Sequence, residues 1–190
     1  MKKYLLLMMM AVGVLASCSK DEETSNLTAK DIEGTWAFQN PTLTEVVLKG
    51  SNAEVVKAMK EGYFGNLDKD PIISAVITFK SDMTCSGIEK KEDESIENFE
   101  GSYSVSNGRI SAKLTSIEHS DHSQIIFARL EKRGADFYLI YDKQSIIDNY
   151  NSKLKDPNLD LDDREMFKNL LSNVTANISE IYCPVKMIKK

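Results

Sequence analysis

Basic clusters, cysteine pairs and long apolar runs are all scarce in this chain, and each scarcity removes a class of function. Lys and Arg number 24 against 29 Asp and Glu, for a formal charge of −5 over 190 residues. An acidic surface repels phosphate backbones, and no Lys/Arg cluster interleaved with aromatics stands out, so nucleic-acid binding is not expected. Three cysteines (Cys18, Cys85 and Cys183) are too few and too widely spaced for a zinc cage or a disulfide-dense scaffold. There is no Gly-x-Ser-x-Gly, no phosphate-cradling glycine loop and no His-Glu-x-x-His. Both histidines sit in Glu118-His119-Ser120-Asp121-His122, a hairpin tip by pattern. Two imidazoles beside carboxylates can hold zinc, but nothing supplies a second shell, and a Ser, His and Asp on one turn rarely converge as a triad. The expectation is a protein that is not an enzyme and carries no metal or cofactor.

One long apolar run exists, at the start. Met1-Lys2-Lys3 is a basic head, and Tyr4 to Leu15 is an apolar core of signal-peptide length, short of the roughly 20 residues a membrane-spanning helix needs. It ends in Leu15-Ala16-Ser17-Cys18, which resembles the lipobox of bacterial lipoproteins; the alternative is an ordinary secretory signal that happens to meet a cysteine. The resemblance implies cleavage of residues 1–17 and acylation of Cys18, whose chains bury enough methylenes for stable anchoring. Loss of Lys2 and Lys3 takes the charge to about −7. Ser19-Lys20-Asp21-Glu22-Glu23 resembles the surface-export signal of Bacteroidetes lipoproteins, or is a plain solvated spacer. Residues 18–30 are read as the tether and 31–190 as one folded domain, placed at the outer membrane and facing the cell surface.

Within that domain Gly34, Trp36 and Phe38 alternate on a first strand, and Trp36 is the only tryptophan. Thr42 to Lys49 follows as a second strand. A short helix comes after it, with Ser51 as its cap and Glu54 completing a capping box. Ile72–Lys80 and Met83–Ile88 read as a hairpin, with Glu89 to Glu97 as a charged loop. Asp68-Lys69-Asp70 reads as part of a turn, lacking the further oxygen ligands of a calcium loop. Asn98–Val105 and Arg109–Ser116 flank Asn107-Gly108, the strongest hairpin signal in the chain. Gln124–Glu131 and Ala135–Asp142, joined through Lys132-Arg133-Gly134, are apolar on both faces and therefore call for a cover, which the following helices provide. Ser145–Lys153 and Asp162–Ile178 carry helical apolar stripes, the second opened by an Asp162/Glu165 capping box. Ile181 to Ile188 reads as a last strand that removes two sheet edges if it pairs with the first. Cys85 and Cys183 are then either bridged or two buried thiols.

Gly34-Thr35-Trp36 on a first strand followed by a meander of hairpins resembles the lipocalin pattern, and more closely the lipocalin-like domains of Bacteroidetes lipoproteins. The resemblance covers roughly residues 31–142 and the last strand. It implies a mainly β fold, an antiparallel barrel of about eight strands, to which the residues themselves add a short helix after the second strand and a two-helix insertion, about 143–179, before the last, where a lipocalin has one helix. It also implies that Trp36 packs at the closed end, with a basic residue of the last strand, Lys186 or a neighbour, over its ring. With the Trp36 face inward, Phe79, Phe99, Tyr103, Phe127, Phe137 and Tyr141 either line a ligand cavity or simply fill the core. The functional expectation is non-catalytic binding: a small apolar or amphipathic ligand held inside the barrel, or a filled barrel that docks an envelope or host protein.

Overall fold

The computed structural model describes residues 27–39, 41–64, 75–90, 94–119, 123–157 and 159–190. The expected signal peptide, Cys18, the acidic tether through Asn26, Asp68–Asp70 and His122 lie outside them. Eight strands form one closed antiparallel barrel: β1 (Gly34–Gln39), β3 (Ala75–Phe79), β4 (Thr84–Lys90), β5 (Ile96–Ser106), β6 (Arg109–Ser116), β7 (Ser123–Arg133), β8 (Asp136–Ile140) and β10 (Pro184–Lys189). Each pairs with its neighbours in chain order, and β10 closes the ring on β1 with Phe38 opposite Met187. A closed meander leaves no barrel edge, which is the physical return on bringing the chain end back to its first strand.

Several turns follow their local chemistry. Asn107 and Gly108 both take positive φ, 51° and 67°, the geometry that matches the twist of a two-residue hairpin. The β7–β8 reversal lies one residue later than expected: Arg133 still pairs with Asp136, and the turn is Gly134-Ala135. Glu89 and Glu97 belong to strands rather than to a loop, because β4 and β5 stay paired as far as Lys90 and Ile96.

The expected second strand is not a barrel strand. Thr42 caps a 3-10 turn, Leu43–Glu45, and only Val47–Gly50 extends, as β2, pairing outside the barrel with β9 (Ile178–Tyr182). The expected last strand is correspondingly split: Ile181 and Tyr182 serve β9, and Pro184 opens β10, where a missing N–H is tolerated. α1 (Ala53–Ala58) is capped by Asn52, not Ser51, since the Asn52 side chain accepts from the Glu54 and Val55 amides. α2 (Lys143–Leu154) and α3 (Leu161–Asn177) separate β8 from β9. The cap of α3 is Asp160, accepting from the Asp163 amide, so Asp162 lies inside the first turn. α2 packs on β7 and on α3, the cover that the two-faced apolar strands required.

Candidate functional site

The barrel interior follows from strand parity. Inward positions pair large with small across neighbouring strands: Gly87 opposite Ile77 and Phe99, Cys85 opposite Phe79 and Gly101, Ala112 opposite Tyr103 and Ile126, and Ala128 opposite Ile110. Such alternation lets bulky side chains cross the axis and interdigitate. Phe79, Phe99 and Tyr103 are 1%, 3% and 4% exposed, and Leu130 and Leu139 are equally covered. A water-sized void beside those rings would leave them exposed, so the space around them is occupied. A Cβ on Gly87 would lie 3.2 Å from Leu114 Cδ2, which has reached across to fill that position.

Five of the six expected lining aromatics are on the inward face. Phe79 and Tyr103 meet edge to face at 4.9 Å, and the Tyr103 hydroxyl donates to the Lys80 carbonyl at 2.8 Å. Phe137 stands edge-on to Trp36 at 5.5 Å, at the barrel's other constituent group of rings. Phe99 and Tyr141 are also buried, Phe99 opposite Gly87 and Ser116. Phe127 is a correction: its neighbours Ile126 and Ala128 take the inward positions, and it lies on the outer face, where its carbonyl accepts from Asn149 Nδ2 of α2.

One barrel end is plugged. A 3-10 turn, Ala29–Ile32, lies before β1 and straddles the expected boundary between tether and domain; Ala29 and Ile32 are buried, and Trp36 Nε1 donates to the Ile32 carbonyl at 2.7 Å. The basic residue over the Trp36 ring is Lys189, at 5.4 Å, because Lys189 is the register partner of Trp36. Lys186 faces outward to Asp136 at 2.7 Å. Two inward carboxylates sit at the opposite end, where Glu89 and Glu97 are cross-strand partners and Gln124 donates to Glu89 at 2.8 Å.

The thiols stay apart: Cys85 and Cys183 are both free and buried. Burial pushes the Cys85 thiol up to about 11 and raises Cys183 further, which removes thiolate reactivity at neutral pH. Among the described residues no group of three or more His, Cys, Asp and Glu side chains is placed to hold a metal ion.

Outside the barrel a charged network fastens α2. Asp142, at the α2 N-terminus, accepts from the Ser145 amide and, through both oxygens, from Arg109, all at 2.8 Å. Glu131 is buried between Arg129 and Arg133 and accepts from the Tyr182 hydroxyl. Asp142 was legible as a cap: an Asp three residues before Ser145, opening an apolar stripe, is a helix-start signal. Burial by itself would raise the Asp142 pKa, but the bonds from Arg109 and Ser145 outweigh it and hold the carboxylate below its ordinary value. A carboxylate depressed in the folded state contributes stability that is present above its unfolded pKa and lost as pH falls through the folded one. The melting temperature should therefore drop steeply below about pH 4, and Asp142→Asn should flatten that acid limb while costing about 2–3 kcal/mol at pH 7. Thermal melts of both proteins from pH 3 to 7 would show it; parallel curves would exclude Asp142 as a source of the acid limb.

An open groove of about 680 Å³ lies between β2 and α1. Leu43, Leu48, Ala53 and Val56 form an apolar floor, and Lys49, Lys57 and Lys60 stand at the rim with Glu61. Lys49 is held by Glu180 at 2.7 Å and Lys57 approaches Glu61 at 3.9 Å. Lys57 and Lys60 share a face by their three-residue spacing, the signal by which sequence alone could have found this rim.

No protein family, curated protein or solved structure matches the chain. Among the described residues no helix is long and apolar enough to cross a membrane, which says nothing about the strands.

Proposed function

We propose that this chain is an envelope lipoprotein, anchored through Cys18, whose lipocalin-like barrel is filled and which binds through its exterior, without catalysis. The observation that carries the reading is the interior packing: Phe79, Phe99 and Tyr103 are covered by neighbouring side chains, and Leu114 occupies the space above Gly87. A barrel of eight strands is at the size where side chains alone can fill the lumen. The lipocalin-like assignment draws support from the meander order, the 3-10 turn beneath Trp36 and Lys189 over its ring. The anchor rests on Leu15-Ala16-Ser17-Cys18. On the outer surface a groove between β2 and α1 has an apolar floor and a cationic rim suited to an apolar side chain or chain end that carries a carboxylate.

Mass spectrometry of the full chain, extracted from producing cells in mild detergent, tests both parts. The expected result is a polypeptide that starts at Cys18 and carries covalent acyl mass, with no further mass released on denaturation. A releasable small molecule would restore the hollow-barrel reading. An unmodified Cys18 would remove the anchor and leave the filled barrel standing.

A further inference from the structure

Among the described residues β2 pairs with β9 and with no other strand, so one edge of Val47–Gly50 carries no ladder. The groove between β2 and α1 runs along that edge. Leu48 and Lys49 point to opposite faces of the strand, and a groove that both line, together with Gly50, follows the edge rather than either face. None of the β9 residues lines it, which puts it on the side away from the strand partner. The other wall is a single stripe of α1 and of the π-helical turn that continues it, Met59–Tyr63. Ala53, Val56, Lys57 and Lys60 follow the i, i+3, i+4, i+7 spacing of one helix face. The first half of that stripe is apolar and the second half is cationic. Lys49 is answered by Glu180 at 2.7 Å and Lys57 by Glu61 at 3.9 Å. Lys60 is half-buried and makes no ion pair among the described residues.

We propose that this groove takes the C-terminal end of an extended peptide, which adds a strand to the open edge of β2, seats an apolar side chain on Leu43, Leu48 and Val56, and sets its terminal carboxylate on Lys60. The inference rests on the reading that the protein binds through its exterior. The argument from the backbone is that an unladdered edge presents N–H and C=O groups at strand spacing, and an extended chain is the ligand that answers them in series. A helix laid over such an edge would close it; α1 instead stands off and leaves about 680 Å³ between them. The argument from charge is local. Three lysines stand at the groove against Glu61 and Glu180, so one cation, Lys60, is left for a carboxylate. A fatty acid would cover the apolar floor and answer Lys60, but it has no amides for the edge. The argument from length sets the strength. Four residues of β2 span about 13 Å, so the paired segment is four or five residues long and its dissociation constant is on the order of 100 µM.

The test titrates the full chain, extracted from producing cells and exchanged into phosphatidylcholine nanodiscs, against a fluorescent pentapeptide, Thr-Val-Thr-Val-Leu with a free carboxylate, and reads anisotropy. The peptide should saturate, and should bind at least about tenfold more tightly than its C-terminal amide. N-methylation at alternate residues should sort the peptides into two sets, because every second amide of a strand faces a given neighbour. Methylation in one parity should abolish binding, and in the other should leave it within about twofold of the parent peptide. Lys60→Gln should bring the free acid down to the affinity of the amide while leaving the amide's own binding and the melting temperature unchanged. Free acid and amide that bind alike overturn the carboxylate seat, and methylated peptides of both parities that bind alike overturn the added strand. No saturation by 1 mM, or displacement of the peptide by dodecanoate at concentrations well below the peptide's dissociation constant, overturns the proposal as a whole. A ligand in the lumen would show as released mass in the mass spectrometry above and would leave the anisotropy untouched, so the two readings fail separately.

Discussion

Gly101→Ala is expected to cost more than about 4 kcal/mol and to leave little folded protein at 37 °C. A Cβ at this position would lie 1.8 Å from the Lys113 carbonyl oxygen, 2.8 Å from its carbonyl carbon and 2.9 Å from Leu114 Cα. All three are backbone atoms of β6, and Gly101 is in register with Leu114, so relief requires opening the β5–β6 ladder at its centre. Overpacking against side chains typically costs 1–3 kcal/mol, and backbone cannot retreat as a side chain can. The total stability of a domain this size is about 5–15 kcal/mol, so one such clash removes a large part of it. Gly87→Ala is the internal control. Its nearest neighbour would be the flexible Leu114 Cδ2 at 3.2 Å, and its expected cost is about 1 kcal/mol. Urea unfolding followed by the single tryptophan compares the two directly. A Gly101→Ala midpoint within about 1 kcal/mol of the parent would show that β5 and β6 separate more easily than the register implies.

Trp36→Ala should destabilise by about 3–5 kcal/mol, the range for emptying a large aromatic site. The ring is 3% exposed, and three separate elements depend on it: Phe137 of β8 at its edge, Lys189 of β10 over its face, and the Ala29–Ile32 turn bonded to its Nε1. Loss of the indole should therefore also free that turn, making Lys30 susceptible to trypsin in an otherwise folded barrel. Trp36→Phe separates the two effects. It keeps most of the apolar contact but strands the buried Ile32 carbonyl, at a cost of about 1–3 kcal/mol. Circular-dichroism melts and a timed tryptic digest read both outcomes. Equal protection of Lys30 in all three proteins would mean that Thr28 and Asp31, which cap the turn, hold it without the tryptophan.

Alternation in β3, β5 and β6 has a period of two, a local property, and the inward faces that it assigned to Phe79, Phe99, Tyr103 and Ile110 are the buried ones. Asn107-Gly108 demands a left-handed turn whatever surrounds it. Phe127 went astray because β7 is apolar on both faces, so periodicity carries no sign there; only α2 lying on the outer face decides which residue points away from the lumen. Lys189 rather than Lys186 covers Trp36 because the choice rests on the β1–β10 register, a pairing between the two ends of the chain.

The amino-acid sequence alone therefore determined the mainly β class, the strand alternation and the Asn107-Gly108 turn, because each depends on neighbours a few positions away. Tertiary structure decided what is long-range: the removal of β2 from the barrel to pair with β9, the division of the last strand at Cys183 and the separation of the two thiols. Register is the physical reason. A shift of one residue in any strand pair would turn its whole set of side chains to the other face, and register between distant strands is set by how the entire core packs.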